Sequence, residues 1–342
     1  MRGSSPSPCA SPIGVVGAIS PFNFPLNLVA HKIAPALAAG CAVVLKPATQ
    51  TPLSALFLAE LELEAGLPAG WLNVLVGPSA EIGDVLVEDP RVALITFTGS
   101  GPVGWNLRQR AARKRVALEL GNSTPMIVAA DADLERAATA AATYAFAFSG
   151  QACISLQRIF VHRSVRDAFV ELLIPKVESL VVGDPAEEVT DVGPVIDERS
   201  RDRILDSIER SGGTVLTGGN LTDDGLIRPT VVDAPHEGSE LACAEAFGPV
   251  CTITAYDDES EAIRLANATP YGLQAGIFTN DLSLALRAAQ ELEFGGVVVN
   301  DAPSIRLDHM PYGGVKASGN TREGPRYAVR ELTEQRLVVI QL

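Results

Sequence analysis

From residue 13 onward the chain alternates short runs that are apolar on both faces with longer stretches of helical periodicity. The runs at 13–19, 42–45, 72–76, 94–97 and 116–120 lack polar alternation, which predicts five strands buried on both sides. Four helical stretches separate them. The plainest covers 54–65, where leucines recur at helical spacing until Gly66 and Pro68 stop the helix. Five such strands with four crossovers imply a parallel, doubly wound α/β sheet, a fold that binds ligands beyond the carboxyl ends of its strands. From residue 132 the pattern repeats as helix, strand (158–162), helix (165–181) and later units at 250–256 and 259–266, predicting a second α/β domain. The last ten residues read as an apolar strand with no evident partner, which suggests pairing with another domain or subunit.

These patterns divide the chain into a disordered Ser/Pro-rich leader (1–12), a dinucleotide-type domain (13–122), a second α/β domain (123–322) and a bridging segment (323–342). Charge follows the same division. Residues 1–122 carry nine basic and eight acidic groups, whereas 123–342 carry 18 and 33, so the net −14 sits almost wholly in the second part. An acidic surface disfavours nucleic acid and anionic membranes, and leaves a small molecule as the expected partner. The stretch 34–45, with Pro35 and Gly40 inside it, is far short of the ~18–20 apolar residues of a membrane span. Arg108, Arg110, Arg113, Lys114 and Arg115 are most simply the cationic end of a helix. The five cysteines are scattered without metal-ligand spacing, so no metal is expected and the thiols read as reduced in a cytoplasmic protein.

Three segments could carry chemistry. Gly99-Ser100-Gly101-Pro102-Val103-Gly104 is a G-x-G-x-x-G between strand and helix, with Glu119 twenty residues after Gly99. Because it follows the fourth strand and not the first, only the anion-binding role of a helix N-terminus is retained, against the alternative of a tight turn. In Pro21-Phe22-Asn23-Phe24-Pro25 the Asn23 amide is a fixed donor, suited either to a developing oxyanion or to a structural turn. In Gly150-Gln151-Ala152-Cys153 a thiol follows a glycine break where it can be exposed, while Cys41 and Cys251 lie in apolar runs. No G-x-S-x-G or H-E-x-x-H is present.

Taken in order, PFNFP (21–25), VVLKPATQTP (43–52), EAGLPAGWLNVLVG (64–77), FTGS (97–100), LELGN (118–122), GQACISLQR (150–158), EAFGPV (245–250) and PYGGVKASG (311–319) resemble the NAD(P)-dependent aldehyde dehydrogenase superfamily. The resemblance implies Cys153 as nucleophile, Asn23 with the Cys153 N–H as oxyanion hole, and Glu119 as the base that activates water against the thioester. It implies NAD or NADP as cofactor. Lys46 and Thr49 would hold the adenosine ribose, Gly99 and Ser100 the pyrophosphate, Glu245 the nicotinamide ribose, and Phe247 would pack near the nicotinamide. A homo-oligomer is expected as well.

The segment Ser304–Gly314 with Arg322, Glu323, Gly324 and Tyr327 resembles the lactaldehyde, phosphonoacetaldehyde and non-phosphorylating glyceraldehyde-3-phosphate dehydrogenase branch, which implies a short polar or anionic aldehyde gripped by Arg306 and His309. A coenzyme-A-acylating dehydrogenase is the near alternative, disfavoured because Glu119 supplies a base for water. Three departures stand out. Asn122 follows Gly121 where the family usually has a second glycine, and tolerance is expected. Thr49 replaces a frequent Glu, which removes a clash with a 2′-phosphate and should admit NADP. The chain also starts almost at PFNFP, so an exposed apolar sheet face, loss of activity, or a nucleotide-holding scaffold role would follow if nothing covers that face.

Overall fold

The computed structural model describes residues 7–111 and 113–340. They form two compact units: Met1–Leu120 with Leu307–Gly313 and Gly319–Leu342, and Gly121–Arg306 with Gly314–Ser318.

In the first unit, β1 (Ser7–Pro12) precedes β2 (Val15–Ile19), β3 (Val43–Lys46), β4 (Leu72–Val74), β5 (Val92–Thr98) and β6 (Arg115–Glu119). The last five make one sheet in the order β4-β3-β2-β5-β6, with every pairing parallel. Both faces are apolar, as the uninterrupted runs require. Val16, Ala18, Val43 and Leu45 pack against Val29 and Ile33 on one side, and Ile95, Phe97 and Leu118 against Leu86 and Leu107 on the other. The strand order reverses between β2 and β5, and such switch points open a crevice at the strands' carboxyl ends. The helix Leu53–Glu64 forms where the leucine spacing puts it, but only Ala55 is buried while Leu53, Phe57 and Leu63 are exposed.

The leader and the C-terminal strand depart from expectation together. Residues 1–6 lie outside the described residues, but residues 7–12 are not disordered: they form β1, antiparallel to Thr333–Val338 from Ser7↔Val338 to Pro12↔Thr333. The C-terminal strand therefore has a partner within its own unit. Each of these segments satisfies the backbone of the other.

The units also interleave along the chain, unlike the linear division at 122 and 322. Asn320 is the physical cause for the tail, because its side chain accepts from Leu118 N (2.8 Å) and donates to Val116 O (2.9 Å), while its N–H donates to Leu118 O (3.2 Å). The chain beyond residue 318 is thereby stitched to the open edge of β6.

The second unit holds β7 (Thr124–Val128), β8 (Leu156–His162), β9 (Thr214–Thr217), β10 (Thr230–Asp233), β11 (Val250–Tyr256), β12 (Gln274–Phe278) and β13 (Gly296–Val299), in the order β13-β12-β7-β8-β11-β10-β9. Only β9 runs antiparallel to its neighbour. Helices Leu134–Phe146 and Arg166–Glu178 cover one face through Ala141, Phe146, Phe169 and Leu173, and Glu259–Asn267 and Leu282–Glu291 cover the other. No described helix is long and apolar enough to cross a membrane.

Candidate active site

Cys153 sits in a loop held by unusually close backbone contacts. After helix Leu134–Phe146 the chain turns through three left-handed residues, Phe148 (φ 56°), Ser149 (φ 55°) and Gly150 (φ 69°). For non-glycine residues this conformation costs roughly 1–2 kcal/mol each, so the surroundings must impose it. They do so at Gly150, where an added Cβ would lie 1.9 Å from the carbonyl oxygen of Gly248. No other residue fits without moving backbone.

Side chains of the same motif complete the frame. Gln151 Oε1 accepts from Ile196 N (2.8 Å), Ser149 Oγ donates to Gly193 O (2.9 Å), and Ser304 Oγ donates to Ile154 O (2.6 Å). Cys153 itself is half-buried. The other described thiols are less suited to attack: Cys41 is buried and donates to Leu332 O, and burial pushes the Cys251 thiol up to about 12. Cys243 is half-buried and donates to Glu237 O.

Gln157, the second residue of β8, ties the loop to the segment carrying Glu245 and Phe247. Its Nε2 donates to Leu241 O (3.0 Å) and Ala244 O (2.7 Å), and its Oε1 accepts from Ala246 N (2.9 Å). Phe247 is thereby kept in a left-handed conformation, φ 48°. The Glu245 carboxyl rests on Gly121, whose missing Cβ would lie 2.3 Å from Oε2, and Oε1 accepts from Asn122 N at 3.0 Å. Burial pushes this carboxyl up to about 7, against the opposing pull of the Asn122 N–H and of Arg203, even though the residue retains some exposed surface. Arg158, buried, donates to the carbonyls of Ser123, Leu265 and Ala266, and burial lowers its pKa to about 10, so it stays charged at neutral pH. Arg306 is half-buried, at the end of a segment anchored by Gln274 Nε2 donating to Ile305 O (2.7 Å).

In the first unit the remaining residues cluster at the carboxyl ends of the strands. Asn23 is buried in the bend after β2. Lys46 ends β3, buried, donating to Pro47 O (2.8 Å) and Thr49 Oγ1 (3.4 Å), and its pKa is lowered by burial. Thr49 in turn donates to Gly77 O (3.3 Å). Ser100 begins helix Gly101–Arg110 without capping it, in contrast to Asp133, Asp197, Asp258 and Asp281, whose side chains cap helices of the second unit. That first turn carries no acidic residue, and an added Cβ at Gly101 meets nothing within 4 Å. Gly99 and Gly104 also allow close packing, since their added Cβ atoms would strike Phe97 (2.7 Å) and Leu120 (2.5 Å). Glu119 ends β6, buried, its Oε1 over Gly313, where an added Cβ would come within 2.9 Å. His309 is exposed, and neighbouring Asp308 pairs with His31 Nε2 at 3.5 Å.

Several residues of chemical weight escaped the sequence reading. His31 and Lys32 lie in helix Asn27–Ala38: His31 Nδ1 is 3.2 Å from Glu323 Oε2, and buried Lys32 donates to Thr98 Oγ1 (2.6 Å) and Thr96 Oγ1 (3.2 Å). The signal was there, as two adjacent basic residues inside a largely apolar helix.

The family model described as "Aldehyde dehydrogenase family" matches residues 4–338. The chain belongs to the aldehyde dehydrogenase family. It is therefore an NAD(P)-dependent oxidoreductase acting on aldehydes. This aldehyde dehydrogenase is 50% identical over 333 residues to a 3-sulfolactaldehyde dehydrogenase of Priestia aryabhattai, a match covering 97% of this chain and 70% of that protein. Among solved structures it is similar to aldehyde dehydrogenase 21 from Physcomitrella patens in complex with the reaction product succinate (43% identity, TM-score 0.94, 98% of this chain and 70% of that one). It is similar also to the glyceraldehyde-3-phosphate dehydrogenase GapN from Methanocaldococcus jannaschii complexed with NADP (40%, 0.94, 99% and 77%). The uncapped helix start at Ser100, the open space at Gly101 and the buried ammonium of Lys46 suit a dinucleotide's phosphates and ribose.

The Gly150 contact gives a direct expectation. Gly150→Ala should lower kcat by about 100-fold or more through displacement of the Cys153 loop, and should lower the melting temperature in a thermal scan. A variant with kcat within a factor of two of the parent and an unchanged melting temperature would disprove this account of the loop.

Proposed function

We propose that this aldehyde dehydrogenase oxidises a short aldehyde bearing an anionic or strongly polar group to its carboxylate. The Cys153 thiolate attacks the aldehyde carbonyl to form a thiohemiacetal, and the N–H of Cys153 with the Asn23 amide donates to the resulting oxyanion. NAD(P), when bound, supplies the hydride acceptor. Loss of hydride leaves a thioester on Cys153. Glu119 then takes a proton from water, whose hydroxide attacks the thioester carbonyl, releasing the carboxylate and regenerating the thiolate. Lys46 and Thr49 serve the adenosine ribose, Gly99 and Ser100 the pyrophosphate, and Glu245 and Phe247 the nicotinamide riboside. With Thr49 in place of a carboxylate, no like charge opposes a 2′-phosphate, so NADP is accepted as well as NAD.

The observation that carries the mechanism is the Gly150–Gly248 contact, which dedicates a strained backbone to one half-buried thiol. The substrate class is supported by the relatives. The names of the three above speak of a sulfolactaldehyde, of succinate as product and of glyceraldehyde-3-phosphate, and each of these molecules carries an anionic group. Arg306 and His309 are the proposed grip on that group, Arg306 through a guanidinium on an anchored segment. Assembly into a homo-oligomer and a cytoplasmic location belong to the same proposal, the latter from the reduced thiols.

Cys153→Ala should abolish steady-state formation of reduced coenzyme while coenzyme affinity, read by fluorescence titration, stays the same. Glu119→Gln should give a single burst of reduced coenzyme and then stall. Steady turnover in either variant removes that residue from its role.

Across an aldehyde panel, the semialdehyde of succinate and phosphate- or sulfonate-bearing aldehydes should exceed hexanal and benzaldehyde in kcat/KM. Arg306→Ala should raise KM for the anionic members about tenfold or more, with little change for acetaldehyde. Equal effects on all aldehydes would rule out the anion grip.

A further inference from the structure

Residues 121–123 are pinned at three successive points within the second unit. Ser318 Oγ donates to Gly121 O (2.6 Å) while accepting from Gly272 N (2.9 Å), and Arg158 donates twice to Ser123 O (3.1 and 2.8 Å). Between them the buried Asn122 side chain donates through Nδ2 to Thr124 Oγ1 (2.8 Å) and Gln274 O (3.1 Å), and its Oδ1 accepts from Leu273 N (3.3 Å). A buried amide so fully used is specific to its place, because any loss leaves backbone groups at the start of β12 unsatisfied. The peptide unit it holds is the one whose N–H meets Glu245 Oε1 and whose Gly121 side gives the carboxylate room.

We infer that Asn122 is a positioning residue for coenzyme binding: its side-chain clamp fixes the Gly121–Asn122 peptide, which in turn fixes the Glu245 carboxylate that grips the nicotinamide ribose. This rests on the assignment of Glu245 to that ribose. A glycine at this position would have no side chain to hold the main chain. Here the amide side chain holds it, so the departure at residue 122 is functional and not merely tolerated. The groups facing the carboxyl are Arg203, whose Nη2 also donates to Ala246 O, and the phenol of Tyr271, whose own pKa is raised by burial and by Glu245. Loosening the peptide withdraws a well-aimed N–H from the carboxylate, and so favours the protonated form.

A double-mutant cycle on coenzyme affinity tests this, read by fluorescence titration of the aldehyde-free protein with NAD and NADP from pH 5.5 to 9. Glu245→Gln should weaken binding about tenfold and flatten its pH dependence. Asn122→Gly, which keeps the N–H but loses the clamp, should weaken binding by a similar factor and move the pH midpoint upward. The double variant should be no weaker than Glu245→Gln alone. If Asn122→Gly does not fold, Asn122→Asp, which keeps shape and Oδ1 but loses both Nδ2 donations, takes its place in the cycle. Additive losses, or an unmoved midpoint, overturn the role of Asn122 while leaving Glu245 in place. An unchanged affinity in Glu245→Gln overturns the ribose assignment and this inference with it.

Discussion

The contact on which the site depends is backbone against backbone: the Cα of Gly150 against the carbonyl of Gly248. A side chain at residue 150 would part the loop that carries Cys153 from the segment that carries Glu245 and Phe247. Gln157 then fixes the two segments in register with three hydrogen bonds, and Gly248 in turn lies where any Cβ would strike Ile204 at 2.3 Å. The loop that carries Cys153 and the segment that carries Glu245 and Phe247 thus belong to one packed body. Loops of this kind tolerate left-handed residues only because neighbouring structure over-determines them, which is also what a preorganised site requires.

The candidate residues of the first unit are held by different physics. They stand at the carboxyl ends of parallel strands, where Lys46 closes β3, Glu119 closes β6 and Ser100 opens a helix that no side chain caps. Lys46 and Glu119 are buried, whereas Ser100 at the start of its helix is exposed. Burial lowers the pKa of Lys46 and, in the second unit, raises that of Glu245 to about 7.

Much of this was legible in the sequence, for reasons that can be named. The strands of the first unit announce themselves because both faces are buried, so their runs are apolar throughout. Cys153 stood out because a glycine break precedes it, but the left-handed turn and the Gly248 contact that make the break necessary are long-range and leave no local trace. The C-terminal strand was legible, but its pairing with β1 was not, because the Ser/Pro-rich sequence of 7–12 carries no strand signal of its own. The interleaving of the units was missed because Asn320 is a short polar residue whose two side-chain bonds to β6 resemble nothing in its own neighbourhood. Asn122 was seen only as an absent glycine. Its weight comes from Leu273 and Gln274, more than 150 residues away in the chain.

The central claim is that the reaction passes through an acyl group on Cys153. The most direct measurement is a rapid acid quench of the protein turning over the semialdehyde of succinate with NADP, followed by peptide mass spectrometry. The account predicts that the peptide containing Cys153 alone gains the mass of the acyl group and that the adduct disappears on treatment with hydroxylamine. Reduced coenzyme formed with no acyl adduct, or with the adduct on Cys41, Cys243 or Cys251, would contradict it.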